Sequence, residues 1–179
     1  ARRKELEYFT SKGVWRKRLL SEAFAKTGRR PISVRWVDVN KGDEQNPRYR
    51  SRLVARQLKA TDHSGKRYFA PTPPLEALRT VLSFAASRVG NWRPCYDQKS
   101  EKRMQISCLD ISRAYFNAKL DEGAKTYVQL PPEDPDAGVL CAELLRHMYG
   151  TRAAADGWQE EYSSTLVSDL EFVQGVASP

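Results

Sequence analysis

Residues 105–116 read Q-I-S-C-L-D-I-S-R-A-Y-F, an apolar run with a single carboxylate, Asp110, near its end. Ile106, Cys108, Leu109 and Ile111 have the pattern of a strand covered on both faces, because a short continuous apolar run is what a doubly buried strand shows. Asp110 then has two readings. Together with Ser112 it caps a short helical turn over 113–118, its oxygen accepting backbone N–H groups that would otherwise lack partners. Alternatively it is a ligand for a hard cation, since a carboxylate fixed at a strand end beside a backbone carbonyl suits Mg²⁺ that also holds phosphate oxygens. Tyr115 and Phe116, on the first turn beyond it, read as core residues.

Outward from this stretch, the N-terminal side is punctuated by A-P-T-P-P at 70–74, which cannot be helical throughout, and Pro74 suits the first position of a new helix. Leu75, Leu78, Val81, Leu82, Ala85 and Ala86 mark that helix's buried stripe, which ends before Gly90. The polar segment 91–103, with Trp92, Pro94 and Lys99, reads as a surface insertion. Earlier still, Ile32, Val34 and Trp36 alternate with Ser33, Arg35 and Val37 in a strand over 32–39, N-K-G-D at 40–43 signals a hairpin turn, and 49–58 is the returning strand. Arg50, Arg52 and Arg56 interleave with Tyr49, Leu53 and Val54 on that strand. Arginines held on a strand either fork onto triphosphate oxygens or simply face water. Val14, Trp15, Leu19, Leu20, Ala23 and Phe24 recur at helical spacing over 14–26, with Gly28 as the C-terminal cap. Residues 1–12 are charged, show no clear period and read as a tail or an extension of a larger polypeptide.

On the C-terminal side, 127–130 is a short strand, 131–138 a proline-rich loop and 139–148 a hairpin strand pair. Gly150 leads into a helix over 153–170 with Trp158, Tyr162, Leu166 and Leu170 on one face. Gly150 is either a plain turn glycine or a place where backbone must come close to a ligand.

The chain has 179 residues, 40% of them hydrophobic, enough for a real core. No run of 18 apolar residues exists, so a membrane span is not expected. Cys95, Cys108 and Cys141 are odd in number and far apart, which points to reduced thiols in an intracellular compartment, cytoplasmic or nuclear. Beside them stand only His63 and His147, so no zinc site is assembled. The net charge is +8, and residues 1–69 hold 19 of the 30 Lys and Arg but 7 of the 22 Asp and Glu. A basic N-terminal part joined to a mildly acidic remainder fits a polyanion partner, or else the solvated surface of a basic protein.

D-I-S-R-A-Y-F resembles the first catalytic motif of the reverse transcriptases, and further words appear in the order of the Ty1/copia retrotransposon type. They are R-P-I-S-V-R-W-V (30–37), Y-R-S-R-L-V-A-R (49–56), F-A-P-T-P-P-L-E-A-L-R (69–79), Y-V-Q-L-P-P-E (127–133), M-Y-G-T-R (148–152) and W-Q-E-E-Y (158–162). The resemblance implies an α+β fold of fingers and partial palm, an antiparallel sheet with packed helices. It divides the chain into a basic tail and helix (1–29), a fingers-like region (30–90), the insertion (91–104) and a partial palm (105–179). It further implies template-directed DNA synthesis on an RNA or DNA template-primer from deoxynucleoside triphosphates. Asp110 and the Ile111 carbonyl would then hold Mg²⁺, Tyr115 would select the sugar, and Arg52, with Arg50 and Arg56, would steady the triphosphate. Gly150 and Arg152 would approach the template.

Two departures stand against this. After Tyr149-Gly150 the family continues with Leu, Lys, Gln, Ala, Pro and Arg, whereas this chain has Thr151, Arg152, Ala153, Ala154, Ala155 and Asp156. Two-metal catalysis also needs more carboxylates than Asp110, and the family's Asp-Asp hairpin is expected only beyond Pro179. The alternative is a retroelement-derived, non-catalytic basic protein serving as a structural or RNA-associated subunit of a larger assembly.

Overall fold

The computed structural model describes residues 1–58, 68, 74–86, 108–121, 123 and 125–173. It has the α+β character expected, and falls into two units, one of residues 1–70 and 113–171, the other of 71–112 and 172–179.

The first unit is built on two antiparallel sheets. Strand β1 (Trp15–Leu19), followed directly by helix α2 (Leu20–Thr27), forms one edge of a three-stranded sheet; β5 (Leu140–Leu144) is its centre and β4 (Tyr127–Gln129) its other edge. Trp15 stands opposite Leu144, and Tyr127 opposite Glu143. The second sheet is the hairpin of β2 (Val34–Asn40) and β3 (Tyr49–Ala55), with Trp36 opposite Leu53. Its turn is organised by Asn40, whose side-chain oxygen accepts the N–H groups of Gly42 at 3.0 Å and Arg48 at 2.8 Å, as an Asn in a turn commonly does. Ile32 ties the hairpin to the larger sheet, its N–H donating to Tyr127 O and its carbonyl accepting from Gln129 N, both at 2.8 Å.

Residues 1–12 are no tail. Helix α1 (Arg2–Lys12) ends at Gly13, whose φ of 59° is left-handed, with the Val14 N–H returning to Phe9 O at 3.0 Å. Phe9 is fully buried, its ring 4.7 Å from Phe116 and 4.5 Å from Trp15 between centroids. Only a narrow stripe of α1 is apolar, so its periodicity is weak in the sequence. The core gathers Phe9, Val14, Leu53, Phe116, Val128, Leu144 and Met148, and Phe116 is the core residue expected.

The helix expected over 14–26 is in fact a strand and a shorter helix. The apolar positions do fit a helical stripe, but β1 finds an edge of β5, and pairing aligns Arg16 and Arg18 with a buried carboxylate, Glu143. Such tertiary pairing overrides local periodicity. Gly28 caps α2 as expected, at φ 66°. The hairpin pair expected over 139–148 is the single strand β5, because Arg146 turns away to donate to three backbone carbonyls, those of Lys12, Phe116 and Asn117. The late helix α4 (Ala154–Ser164) continues as a π turn, Thr165–Asp169, with Trp158 and Tyr162 rings 5.6 Å apart.

In the second unit, α3 (Leu75–Ala86) begins where Pro74 places it, the Pro74 carbonyl accepting the Ala77 N–H at 3.0 Å. Its stripe is not buried: Leu75, Leu78, Val81 and Leu82 are all exposed, since none of the described residues covers that face. The central strand is also corrected. Residues 108–111 pair with no strand among the described residues; Leu109 is 80% exposed, and Cys108, Asp110 and Ile111 are exposed too. Among the described residues, neither covering layer required by a continuous apolar run lies over them. The cap is not formed either. The turn Ala114–Asn117 is preceded by Arg113 in left-handed backbone, φ 52°, with no side-chain cap bond. Ile106, the remainder of the stretch before Cys108, and the insertion 91–103 lie outside the described residues.

Candidate functional site

Strand β3 points Ser51, Leu53 and Ala55 inward, and its alternation turns Arg50, Arg52, Val54 and Arg56 to the opposite face. The corner at Tyr149-Gly150 docks on the end of this strand. Ala55 N donates to Tyr149 O at 2.7 Å and Gln57 N to Gly150 O at 3.3 Å. Gly150 has φ 82°, and a Cβ there would run into the Ala55 carbonyl and the Val54 side chain. The close neighbour that requires glycine here is β3 itself, a packing reason for Gly150 that is separate from any approach to a ligand.

That docking lays Tyr149 beside Arg52, whose guanidinium carbon lies 5.4 Å from the ring centroid. Tyr115 in turn meets Tyr149 edge to face at 5.1 Å. Burial pushes the Tyr149 phenol above its ordinary pKa, with Arg52 pulling the other way. Around this point opens a recess of about 140 Å³ lined by Lys4, Glu5, Arg50, Arg52, Arg113 and Tyr149, among others. Glu5 is 3% exposed and takes Nε and Nη2 of Arg113 on one oxygen, at 3.1 and 2.9 Å. Arg113 is further fixed over the Tyr8 ring at 4.0 Å. The second oxygen of Glu5 and the Nε of Arg52 are buried without a hydrogen-bond partner among the described residues. Among the described residues, four cationic side chains against one carboxylate leave the recess positive, and a buried N–H without an acceptor is costly until one is supplied.

Of the sequence candidates, Arg50 and Arg52 meet in this recess, and Tyr115 reaches it through Tyr149. Arg56 does not; it is exposed beyond the strand end, its N–H donating to Ser33 O at 2.8 Å. Arg152 lies over the Tyr68 ring at 4.9 Å, and its N–H donates to Gln57 Oε1 at 2.9 Å. Asp110 and Ile111 belong to the other unit. Lys4, Glu5, Arg113 and Tyr149 were not singled out from the sequence. Arg113 and Tyr149 stand inside motif words already quoted and could have been; Lys4 and Glu5 carry no motif.

No group of three or more His, Cys, Asp or Glu residues that could hold a metal gathers among the described residues. Asp110 and the Ile111 carbonyl offer one carboxylate and one neutral oxygen, a donor set that fits a single Mg²⁺ bringing waters and substrate phosphates, and falls short of a two-metal centre.

Fold and recess together define an α+β protein with a cationic hairpin. The family model described as reverse transcriptase (RNA-dependent DNA polymerase) matches residues 23–178, and the chain belongs to that family. Comparison with curated proteins and with solved structures gives no match. The family so described is one of polymerases that act on a nucleic-acid template. No helix among the described residues is long and apolar enough to cross a membrane.

Proposed function

We propose that this chain is the fingers and first palm part of a copia-type reverse transcriptase, acting in template-directed DNA synthesis when a further Asp-Asp motif completes its site. The observation that carries the reading is the recess on β3, where Arg50 and Arg52 line a positive concavity of phosphate size and Arg52 keeps a buried N–H without an acceptor. There the guanidinium groups bind triphosphate oxygens by charge-assisted hydrogen bonds. Tyr115, backed by Tyr149, is the candidate for sugar selection, and the Gly150 corner with Arg152 for the template. Mg²⁺ held by Asp110 and the Ile111 carbonyl would supply Lewis-acid activation of the primer hydroxyl and neutralise phosphate charge.

The test is primer extension by the complete protein with Mg²⁺. Asp110→Ala is expected to abolish extension with an unchanged circular dichroism spectrum, because the side chain is exposed; extension at the wild-type rate would refute the assignment. Arg52→Ala is expected to raise the nucleotide KM about tenfold, in keeping with loss of one charged hydrogen-bonding group, while kcat changes less.

A second reading, a non-catalytic RNA-associated subunit, is favoured by one observation. Where the family places a base after the Gly150 corner this chain has Asp156, whose Oδ1 is buried without a partner among the described residues. Tight RNA binding with no extension by the complete protein would select it.

A further inference from the structure

Helix α1 precedes the family-matched region, which starts at residue 23, yet it forms one wall of the β3 recess through Lys4 and Glu5. We propose that α1 is a built part of this anion site: Lys4 contacts the phosphate groups of the bound nucleotide, and Glu5 holds Arg113 at the wall with one oxygen and accepts from the ligand with the other. The inference rests on the nucleotide reading above and names residues which that reading lacks.

Three observations carry it. First, α1 cannot be a loosely laid strap. Phe9 is fully buried in the main core, and Arg2 anchors the start of the helix to Asp38 at 2.6 Å and Glu133 at 2.7 Å. Lys4 therefore occupies a fixed place relative to β3. Second, the charges of α1 near the recess are used unequally. Glu5 is committed to Arg113, and Arg3 turns outward to pair with Glu7 at 3.5 Å, whereas Lys4 lines the recess with no carboxylate paired to it among the described residues. Third, the recess keeps two buried polar atoms open, Arg52 Nε and Glu5 Oε1. Glu5 is more than nine-tenths buried, so its open oxygen has an unmet need for a donor just as Arg52 has for an acceptor. A phosphate chain with a protonated or hydroxyl-bearing end satisfies both: its oxygens accept from Arg52, Arg50 and Lys4, and its O–H donates to Glu5.

The experiment is titration calorimetry of the full chain with tripolyphosphate in Mg²⁺-free buffer at low salt, where such contacts are strongest. Lys4→Gln is expected to weaken binding about three- to tenfold, and Lys4→Arg to restore it, as expected for an exposed charged group. Arg3→Gln removes the same charge one residue away but outside the recess, and is expected to leave the affinity unchanged. Unchanged melting temperatures in these exposed-site variants would show that the fold is intact. If Lys4→Gln binds like wild type while Arg52→Ala loses affinity, α1 is not part of the site and the nucleotide reading stands. Equal losses in Lys4→Gln and Arg3→Gln would reduce the effect to net charge and overturn the inference. No binding by the wild-type chain, or none lost in Arg52→Ala, would overturn both.

Discussion

Strand β3 and the segment at residues 108–111 carry similar apolar content and end in opposite states. Leu53 is fully buried, and Leu109 is 80% exposed. The strand alternates, Ser51, Leu53 and Ala55 on one face against Arg50, Arg52 and Val54 on the other, so it needs one cover, which the core around Phe9 of α1 provides, while the Tyr149-Gly150 corner docks at its end. The segment is a continuous run, which needs a cover on each face and a partner for its ladder. Alternation thus announces its own geometry, whereas a continuous run only announces a need that other parts of the chain must meet.

The sharpest way to break the comparison is to remove the two leucines in turn, starting with the larger effect. Leu53→Ala deletes a fully buried side chain, and the transfer and cavity costs together are about 2–5 kcal/mol. In a chain of this size each kcal/mol lowers the melting temperature by about 2–4 °C, so a drop of several degrees in a thermal melt is expected. A loss under about 1 kcal/mol would mean that the hairpin is not packed as described.

Gly150→Ala tests what holds the cover on β3. The new Cβ would need left-handed backbone, costing about 1–2 kcal/mol, and would press on the Ala55 carbonyl and Val54, for which overpacking adds about 1–3 kcal/mol. The urea midpoint should fall accordingly, and the Arg52–Tyr149 contact should loosen with it, visible as faster hydrogen exchange at the Ala55 amide. Wild-type stability would show that the corner does not sit on the strand.

Much of this was legible from residues. The hairpin followed from alternation around N-K-G-D, the Pro74 start of α3 from ring chemistry, and the Gly28 cap from glycine's tolerance of positive φ. The cationic character of β3 was legible too, because interleaved arginines keep one face whatever the register. The recess was not, since two of its walls come from segments 100 residues and more apart in sequence, Glu5 and Arg113, joined by an ion pair that no local pattern encodes. Strand β1 was hidden for a related reason. W-R-K-R-L satisfies a helical stripe as well as a strand, and only the cross-strand match of Arg16 with Glu143 decides between them.

That match has a pH signature. Glu143 is 1% exposed on the central strand, and Arg16 holds it by a fork of 2.7 and 3.1 Å. This bond, opposed by burial and aided by Arg18 and Lys125, keeps its carboxyl down at about 2. The unfolded chain takes up this proton first as pH falls, so the stability is fully present above about pH 4.5 and is lost as pH drops toward about 2. Burial lowers the His147 pKa, against the pull of Asp121, Glu160 and Asp156; the folded chain resists that proton, and stability begins to fall as pH passes below 6.5. Melting temperatures between pH 8 and 3 should therefore decline in two steps. Glu143→Gln should flatten the lower step and His147→Gln the upper. A single step that survives both changes would place the acid sensitivity elsewhere.

The smallest expected effect is the most informative about the central motif. Leu109→Ala removes a side chain that is mostly in water, and substitutions at such positions usually change stability by no more than about 0.5 kcal/mol. Asp110 beside it is then carried on a segment whose position does not depend on its own apolar neighbours. A loss of about 2 kcal/mol or more would mean that the run is covered in solution, restoring the doubly buried strand that its sequence announces. In that case Asp110 would stand at the fixed end of a strand, the setting in which one carboxylate serves a metal best, and added Mg²⁺ should raise the melting temperature of wild type but not of Asp110→Ala. With Leu109→Ala neutral, the same addition of Mg²⁺ should leave both melts unchanged, because one exposed carboxylate and one neutral carbonyl, without substrate phosphates, bind the ion too weakly to shift folding by mass action.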